Sequence, residues 1–246
     1  MSDVSVQTMI FGCGYLGRRV AQLAIRDGHK LWATTRRPEK RKELISAGMH
    51  PILADWTDRR TLVKLPDVKH LVICVSYDRQ SSHDRYESQV GGLRNLLQAI
   101  SPETKVCYVS TTGVYHQQNG AWVDEASPTH PTRDGGRAHL MAEALLHKMR
   151  PESEWTILRL AGIYGPGRIP RAADVIAGRP IASPQRGFLQ FAWQPSVLSA
   201  LESSHCSPTA GSTMPLPHTS FDKQSAEQPS PLSVLPSSQT SGDVMK

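Results

Sequence analysis

Val6-Gln7-Thr8-Met9-Ile10-Phe11-Gly12-Cys13-Gly14-Tyr15-Leu16-Gly17-Arg18-Arg19-Val20 is the stretch whose reading decides the fold. The run Val6–Phe11 is largely apolar and ends in glycines, and Leu16, Val20, Leu23 and Ala24 then recur at helical spacing as far as Arg26. This reads as a strand passing through a tight turn into an amphipathic helix, and the turn spells G-x-G-x-x-G at Gly12, Gly14 and Gly17. Each glycine has its own expected task. Gly12 permits the turn, Gly14 leaves the backbone open to a diphosphate, and Gly17 lets the helix lie close on the strand. The free N–H groups and partial positive charge at a helix start suit phosphate. Gly12, Gly14, Tyr15, Leu16 and Gly17 are therefore candidate dinucleotide contacts.

Outward from the loop, strand-like and helix-like segments alternate. Strands are predicted at Lys30–Thr35, Pro51–Ala54, His70–Val75, Lys105–Ser110 and Trp155–Leu160. Helices are predicted at Glu39–Ala47, Tyr86–Ile100 (despite Gly91 and Gly92) and Gly136–Met149. Such alternation implies right-handed crossovers and a doubly wound parallel sheet, an α/β Rossmann fold. Residues 1–167 are expected to form this nucleotide-binding domain and 168–194 a remnant of a truncated substrate lobe. Residues 195–246 are expected to be a disordered, low-complexity tail.

Composition narrows the function classes. Hydrophobic residues at 39% and charged ones at 20% are globular in character. The last 52 residues hold 13 Ser and 7 Pro and carry −2 of the chain's +6, so residues 1–194 hold +8. A basic body attracts phosphorylated small molecules, nucleic acid or acidic surfaces. No aromatic-rich basic motif accompanies the charge, so a small molecule is the expected partner rather than nucleic acid. Cys13, Cys74, Cys107 and Cys206 show no paired spacing, which suits reduced thiols and a cytoplasmic location. No secretory leader and no apolar run near ~18 residues is visible, so no membrane partner is expected. No His, Cys, Asp or Glu cluster has metal-ligand spacing, and no metal is expected.

The end of the second strand selects the cofactor. An acid there would bind a ribose 2′-hydroxyl, but this chain has Thr34-Thr35-Arg36-Arg37. Arg36 or Arg37 can pair with a 2′-phosphate through a planar fork, so NADP is favoured over NAD. Lys40 to Lys42 read as a solvated helix face. Asp55 stands either beside the adenine or as the cap of the turn Asp55-Trp56-Thr57-Asp58. Ser76 lies after the fourth strand, either near the nicotinamide ribose or as a plain strand end.

Val109-Ser110-Thr111-Thr112-Gly113-Val114-Tyr115 and Arg159-Leu160-Ala161-Gly162-Ile163-Tyr164-Gly165-Pro166-Gly167 join the glycine loop in a family pattern. Together they resemble the short-chain dehydrogenase/reductase superfamily, in its NAD-dependent epimerase/dehydratase branch. Within that branch the chain looks like the atypical nucleoside-diphosphate-sugar epimerase-like group. The resemblance implies a hydride-transfer site at the carboxyl edge of the sheet, with Thr111 orienting a substrate hydroxyl and Thr112 as the alternative. Thr111 can equally cap its own backbone. It also implies a Tyr and a Lys four residues apart on the next helix, where the Lys cation lowers the phenol pKa. Alignment through Leu140 and Glu143 puts Gly135 and His139 at those two positions. His139 then acts as acid/base, or Tyr115 or Tyr164 supplies a phenol, or the chain binds NADP(H) without this chemistry. Arg133 and Arg137 are further candidates for phosphate contacts, and Leu160–Ile163 for the border of the nicotinamide.

After Gly187-Phe188-Leu189 the pattern departs into Ser/Pro-rich sequence, as a frameshifted or replaced tail would, leaving the substrate lobe incomplete. The expected function is that of an NADP-dependent oxidoreductase or epimerase-like enzyme working on a hydroxyl/carbonyl of a sugar nucleotide or related compound. The alternative is a non-catalytic NADP(H)-binding sensor or regulatory protein.

Overall fold

The structure, a computed structural model, describes residues 5–117, 121–169 and 171–179, with the backbone of two further strands at 191–193 and 204–208. Six strands run parallel: β1 (Gln7–Phe11), β2 (Lys30–Thr35), β3 (His50–Leu53), β4 (His70–Ile73), β5 (Lys105–Thr111) and β6 (Trp155–Leu160). Their spatial order is β3-β2-β1-β4-β5-β6, the doubly wound arrangement that the alternation predicts. Gly162–Tyr164 (β7) pairs in parallel with Phe191–Trp193 (β8), and Ser204–Pro208 (β9) adds to β6 in the antiparallel sense. Of the expected tail, 195–246, only β9 lies among the described residues, and the expected departure near residue 190 also lies outside them.

The strands bury both faces. Met9 and Phe11 point into one apolar cluster with Leu71, Ile73, Val106, Tyr108 and Ile157, covered by α3 (Gly92–Ala99) and α4 (Asp134–Met149). Ile10 points the other way, to Leu31, Ala33 and Leu44 under α1 (Tyr15–Arg26) and α2 (Arg41–Ser46). Alternation along β1 thus divides the two layers. A last short helix, α5 (Ala172–Ile176), follows β7. No helix among the described residues is long and apolar enough to cross a membrane.

The helix expected over Tyr86–Ile100 is present as one continuous helical run, π-wound over Glu87–Gly91 before it tightens into α3. Trp56 wedges against this run at Gly92. Its buried ring stacks near Phe11, with centroids 6.3 Å apart, and lies where a Cβ on Gly92 would stand, 2.6 Å away. Asn95 donates to the Trp56 carbonyl at 2.9 Å and holds the wedge in place.

Glu143 and Arg159 form a buried pair that locks α4 to β6. Arg159 donates to Glu143 through Nη2 at 2.8 Å and to the Tyr115 hydroxyl at 2.9 Å, and Ser110 donates to the same carboxylate. Both charges are almost fully buried, so their partners alone offset the lost hydration. Arg150 does similar work nearby, donating to the carbonyls of Leu97, Ile100 and Ser101 at the carboxyl end of α3. Glu143→Gln is expected to cost about 3 kcal/mol of unfolding free energy in urea, because it strands a buried guanidinium. The double variant Glu143→Met with Arg159→Met is expected to cost less than that single change. A single change below about 1 kcal/mol would show that the pair carries no such role.

Candidate functional site

The glycine loop joins β1 to α1 and is held from three sides. Gly12 has φ of +91°, a conformation that side chains disfavour, and a Cβ there would meet the Cys74 and Val75 backbone at 2.9 Å. Its N–H donates to Thr34 Oγ1 at 2.9 Å, which ties the loop to β2. A Cβ on Gly17 would stand 2.6 Å from the Gly12 carbonyl oxygen and 3.0 Å from the Ile10 side chain. Gly14 differs from both. It is exposed, and a Cβ there would meet nothing within 4 Å. No side chain caps the amino end of α1 and no acid stands in its first turn, so those N–H groups face an open cradle. Tyr15 closes one side. Its hydroxyl donates to the Pro166 carbonyl at 3.2 Å, and the Arg19 and Arg168 guanidinium groups lie 3.6 and 5.3 Å from its ring. Leu16 is half-buried beside it. Cys13 donates to Met49 Sδ, and burial pushes its thiol up to about 11.

At the end of β2, Arg36 is half-exposed between two carboxylates. Its guanidinium donates to Asp78 Oδ2 at 2.7 Å and lies 3.8 Å from Asp55 Oδ2. The Gln80 backbone N–H, and then Arg36, hold the Asp78 carboxyl below the usual carboxylate range, with Arg37 adding to the effect. Arg37 itself is exposed. The other oxygen of Asp55 accepts from the Thr57 N–H at 2.9 Å and from its hydroxyl at 2.7 Å, so this side chain caps its turn and also faces Arg36.

At the carboxyl end of β4 and β5, Ser76 is exposed and Thr111 half-buried. Thr111 Oγ1 accepts from the Gly113 N–H at 3.1 Å, the self-capping that a strand-end hydroxyl allows. The amino end of α4 presses on this turn, since a Cβ on Gly136 would stand 2.0 Å from the Gly113 carbonyl oxygen. Gly135 precedes it, and the nearest atom to a Cβ there is Arg85 Nη1 at 3.6 Å. His139, one turn on, is hydrogen-bonded through Nδ1 to the buried Tyr108 hydroxyl at 2.9 Å. Burial, and then the Arg85 cation, lower its pKa to about 4, so the imidazole is neutral at pH 7. Tyr115 donates to the Asp124 carbonyl at 2.8 Å and accepts from Arg159, and burial raises its phenol.

Two residues at this edge escaped the sequence reading. Asp78 follows Ser76 closely, and its place after a strand end was the available signal. Arg85 had none, because its approach to Gly135 spans 50 residues of chain that only the fold brings together.

The chain has recognisable relatives. A sequence model described as the NAD dependent epimerase/dehydratase family matches residues 9–182. Protein YeeZ of Escherichia coli (strain K12) is 32% identical over 115 residues, which is 46% of this chain and 40% of YeeZ. A conserved protein of Silicibacter pomeroyi, described as functionally unknown, is 31% identical, with a TM-score of 0.52 over 69% of this chain and 57% of its own. The UDP-glucose 4-epimerase of Bifidobacterium longum, in complex with NAD+ and UDP, shares the fold at 15% identity. Its TM-score is 0.56 over 65% of this chain and 54% of that one. The chain therefore spans about half the length of such relatives. With the family model covering well over half of its residues, a Rossmann sheet in the family's strand order and the glycine loop in place, this chain belongs to the NAD dependent epimerase/dehydratase family.

Proposed function

We propose that the cleft at the glycine loop binds a nicotinamide dinucleotide, NADP(H) in preference to NAD(H). We propose further that the protein is a cytoplasmic oxidoreductase or epimerase-like enzyme for a hydroxyl/carbonyl of a sugar nucleotide or related compound. One observation carries the cofactor reading: Gly12 and Gly17 are walled in, whereas Gly14 opens onto space at the uncapped start of a helix. The backbone of Gly12, Gly14, Tyr15, Leu16 and Gly17 would hold the diphosphate, Arg36 and Arg37 a 2′-phosphate, Asp55 the adenosine side, and Ser76 and Thr111 the nicotinamide end. When bound, the nicotinamide ring supplies a hydride donor or acceptor. The B. longum epimerase, which shares the fold and holds NAD+ and UDP, supports the reading. Cys13 and Cys74 form no disulfide among the described residues, which suits a reducing compartment.

The NADP preference rests on Arg36. Its link to Asp78 is half-exposed and weak to break, and a phosphate offers the fork more charge than one carboxylate does. The chain's own residues supply less for proton transfer. Gly135 has no side chain, His139 is neutral and tied to Tyr108, and the Tyr115 proton is given to the Asp124 carbonyl. These observations favour a second reading, a protein that binds NADP(H) as a sensor without turning it over. Transfer of isotopic label from the reduced cofactor to candidate sugar nucleotides separates the two.

Gly14→Val is expected to weaken NADPH binding by about 100-fold while the thermal melt stays put, because the new side chain fills the cradle and touches no protein atom. An unchanged affinity would place the cofactor elsewhere. Arg36→Ala is expected to weaken NADPH by about tenfold and leave NADH unaffected in fluorescence titrations. Asp78→Asn, which removes the competing carboxylate, is expected to tighten NADPH. Equal affinities of the unaltered protein for NADPH and NADH would overturn the NADP preference.

A further inference from the structure

The loop from β4 to α3 carries a guanidinium without a counter-ion. Among the described residues Arg85 makes no ion pair and no hydrogen bond, and its guanidinium carbon lies 4.2 Å from the centre of the Tyr77 ring. Tyr77 is fixed in turn, its hydroxyl donating to the His83 carbonyl at 3.4 Å.

The acids nearest in sequence are already engaged. Asp84 accepts from the Glu87 N–H at 2.7 Å and Glu87 from the Asp84 N–H at 2.9 Å, a reciprocal cap at the start of the helical segment. Asp134 lies 3.4 Å from Arg137.

The element opposite Arg85 gives it no ion pair, because the acid in the first turn of α4, Asp134, is the one that meets Arg137. Its Nη1 lies over Gly135, in the first turn of the 16-residue α4, where no side chain caps the backbone and the helix end is partially positive. His139, next along α4, is a neutral imidazole and offers no negative charge. Gln89, four residues after Arg85 on the wide turn that packs against α4, is fully buried. Its side-chain nitrogen and oxygen both lack a partner. A half-buried guanidinium without an ion pair, lying against an uncapped helix start, is a combination that an oxyanion would complete.

We infer that Arg85, stacked on Tyr77 and lying over the amino end of α4 at Gly135, seats an oxyanion, a carboxylate or phosphate group, of the substrate. The inference rests on the reading above that the carboxyl edge of β4 and β5 takes the substrate. It narrows the substrate class to hydroxyl/carbonyl compounds that carry an acidic group near the reacting carbon. With no hydrogen bond of its own among the described residues, the Arg85 fork is available for a two-pronged contact, which a lysine would not reproduce.

The test uses the full chain and two probes, inorganic phosphate and malonate, each titrated at an ionic strength held constant with chloride. NMR follows the His139 ring and the Gly135 amide in the unaltered protein, Arg85→Gln and Arg85→Lys. At least one probe is expected to shift both resonances saturably and to move the His139 titration upward, because the anion screens the Arg85 cation. Arg85→Gln is expected to weaken that response at least about tenfold and Arg85→Lys to keep part of it. A response to phosphate alone assigns a phosphoester, and a response to malonate alone a carboxylate. Absence of a saturable shift with either probe, or equal binding in Arg85→Gln, would overturn the inference. NADPH titrations on the same samples report on the glycine loop separately. Their failure would remove the cofactor reading and leave the anion result standing, and unchanged NADPH binding in Arg85→Gln shows that this variant is folded.

Discussion

The approach of α1 to β1 at Gly17 is the contact on which the rest of the site depends. A single methyl group at that position would stand 2.6 Å from the Gly12 carbonyl oxygen. With only hydrogen there, the helix start sits directly over the strand end. The Gly12 turn then fits against the Cys74–Val75 backbone just after β4, and Gly14 is left facing outward. Close packing at two glycines is thus what holds the third one open. The loop is rigid where it touches protein and unobstructed where a ligand would lie, which is the form of preorganisation that makes binding inexpensive in entropy.

A second constraint operates on the other side of the sheet. The carboxylate of Glu143 gathers Ser110 from β5 and Arg159 from β6 onto α4, and Arg159 passes the connection on to Tyr115. This network fixes the amino end of α4 against the turn after β5, where Gly136 leaves no room for a side chain. Thr111, Gly135, His139 and Arg85 are neighbours of that junction, so their geometry follows from a buried ion pair they do not belong to. The same network explains why Tyr115 is poorly placed to release a proton: its hydroxyl hydrogen is committed to the Asp124 carbonyl.

Charge is distributed unevenly along the carboxyl edge of the sheet. Arg36 is flanked by Asp55 and Asp78, while Arg85 has only an aromatic ring and a helix start for company. The first is a half-exposed fork already held by carboxylates. The second makes no ion pair among the described residues. Both are arginines on loops at the carboxyl edge of one sheet, and their surroundings alone set them apart.

Much of the architecture was legible in residue patterns alone. The strands at Lys30–Thr35 and Trp155–Leu160 have the bounds that their apolar runs predict, and the alternation of strand and helix determines a parallel doubly wound sheet because crossovers have one hand. The separate places of Gly12, Gly14 and Gly17 were also readable, since a strand–turn–helix at that spacing has few geometric solutions. The tertiary structure alone decided contacts between residues far apart in the chain. Trp56 packed against Gly92 of the helix that was expected there, Asp78 reached Arg36 across 42 residues, and Arg85 reached Gly135 across 50. Local propensity reports on neighbours within a turn or two of chain, whereas these contacts arise only once the sheet has folded and brought its loops to one edge.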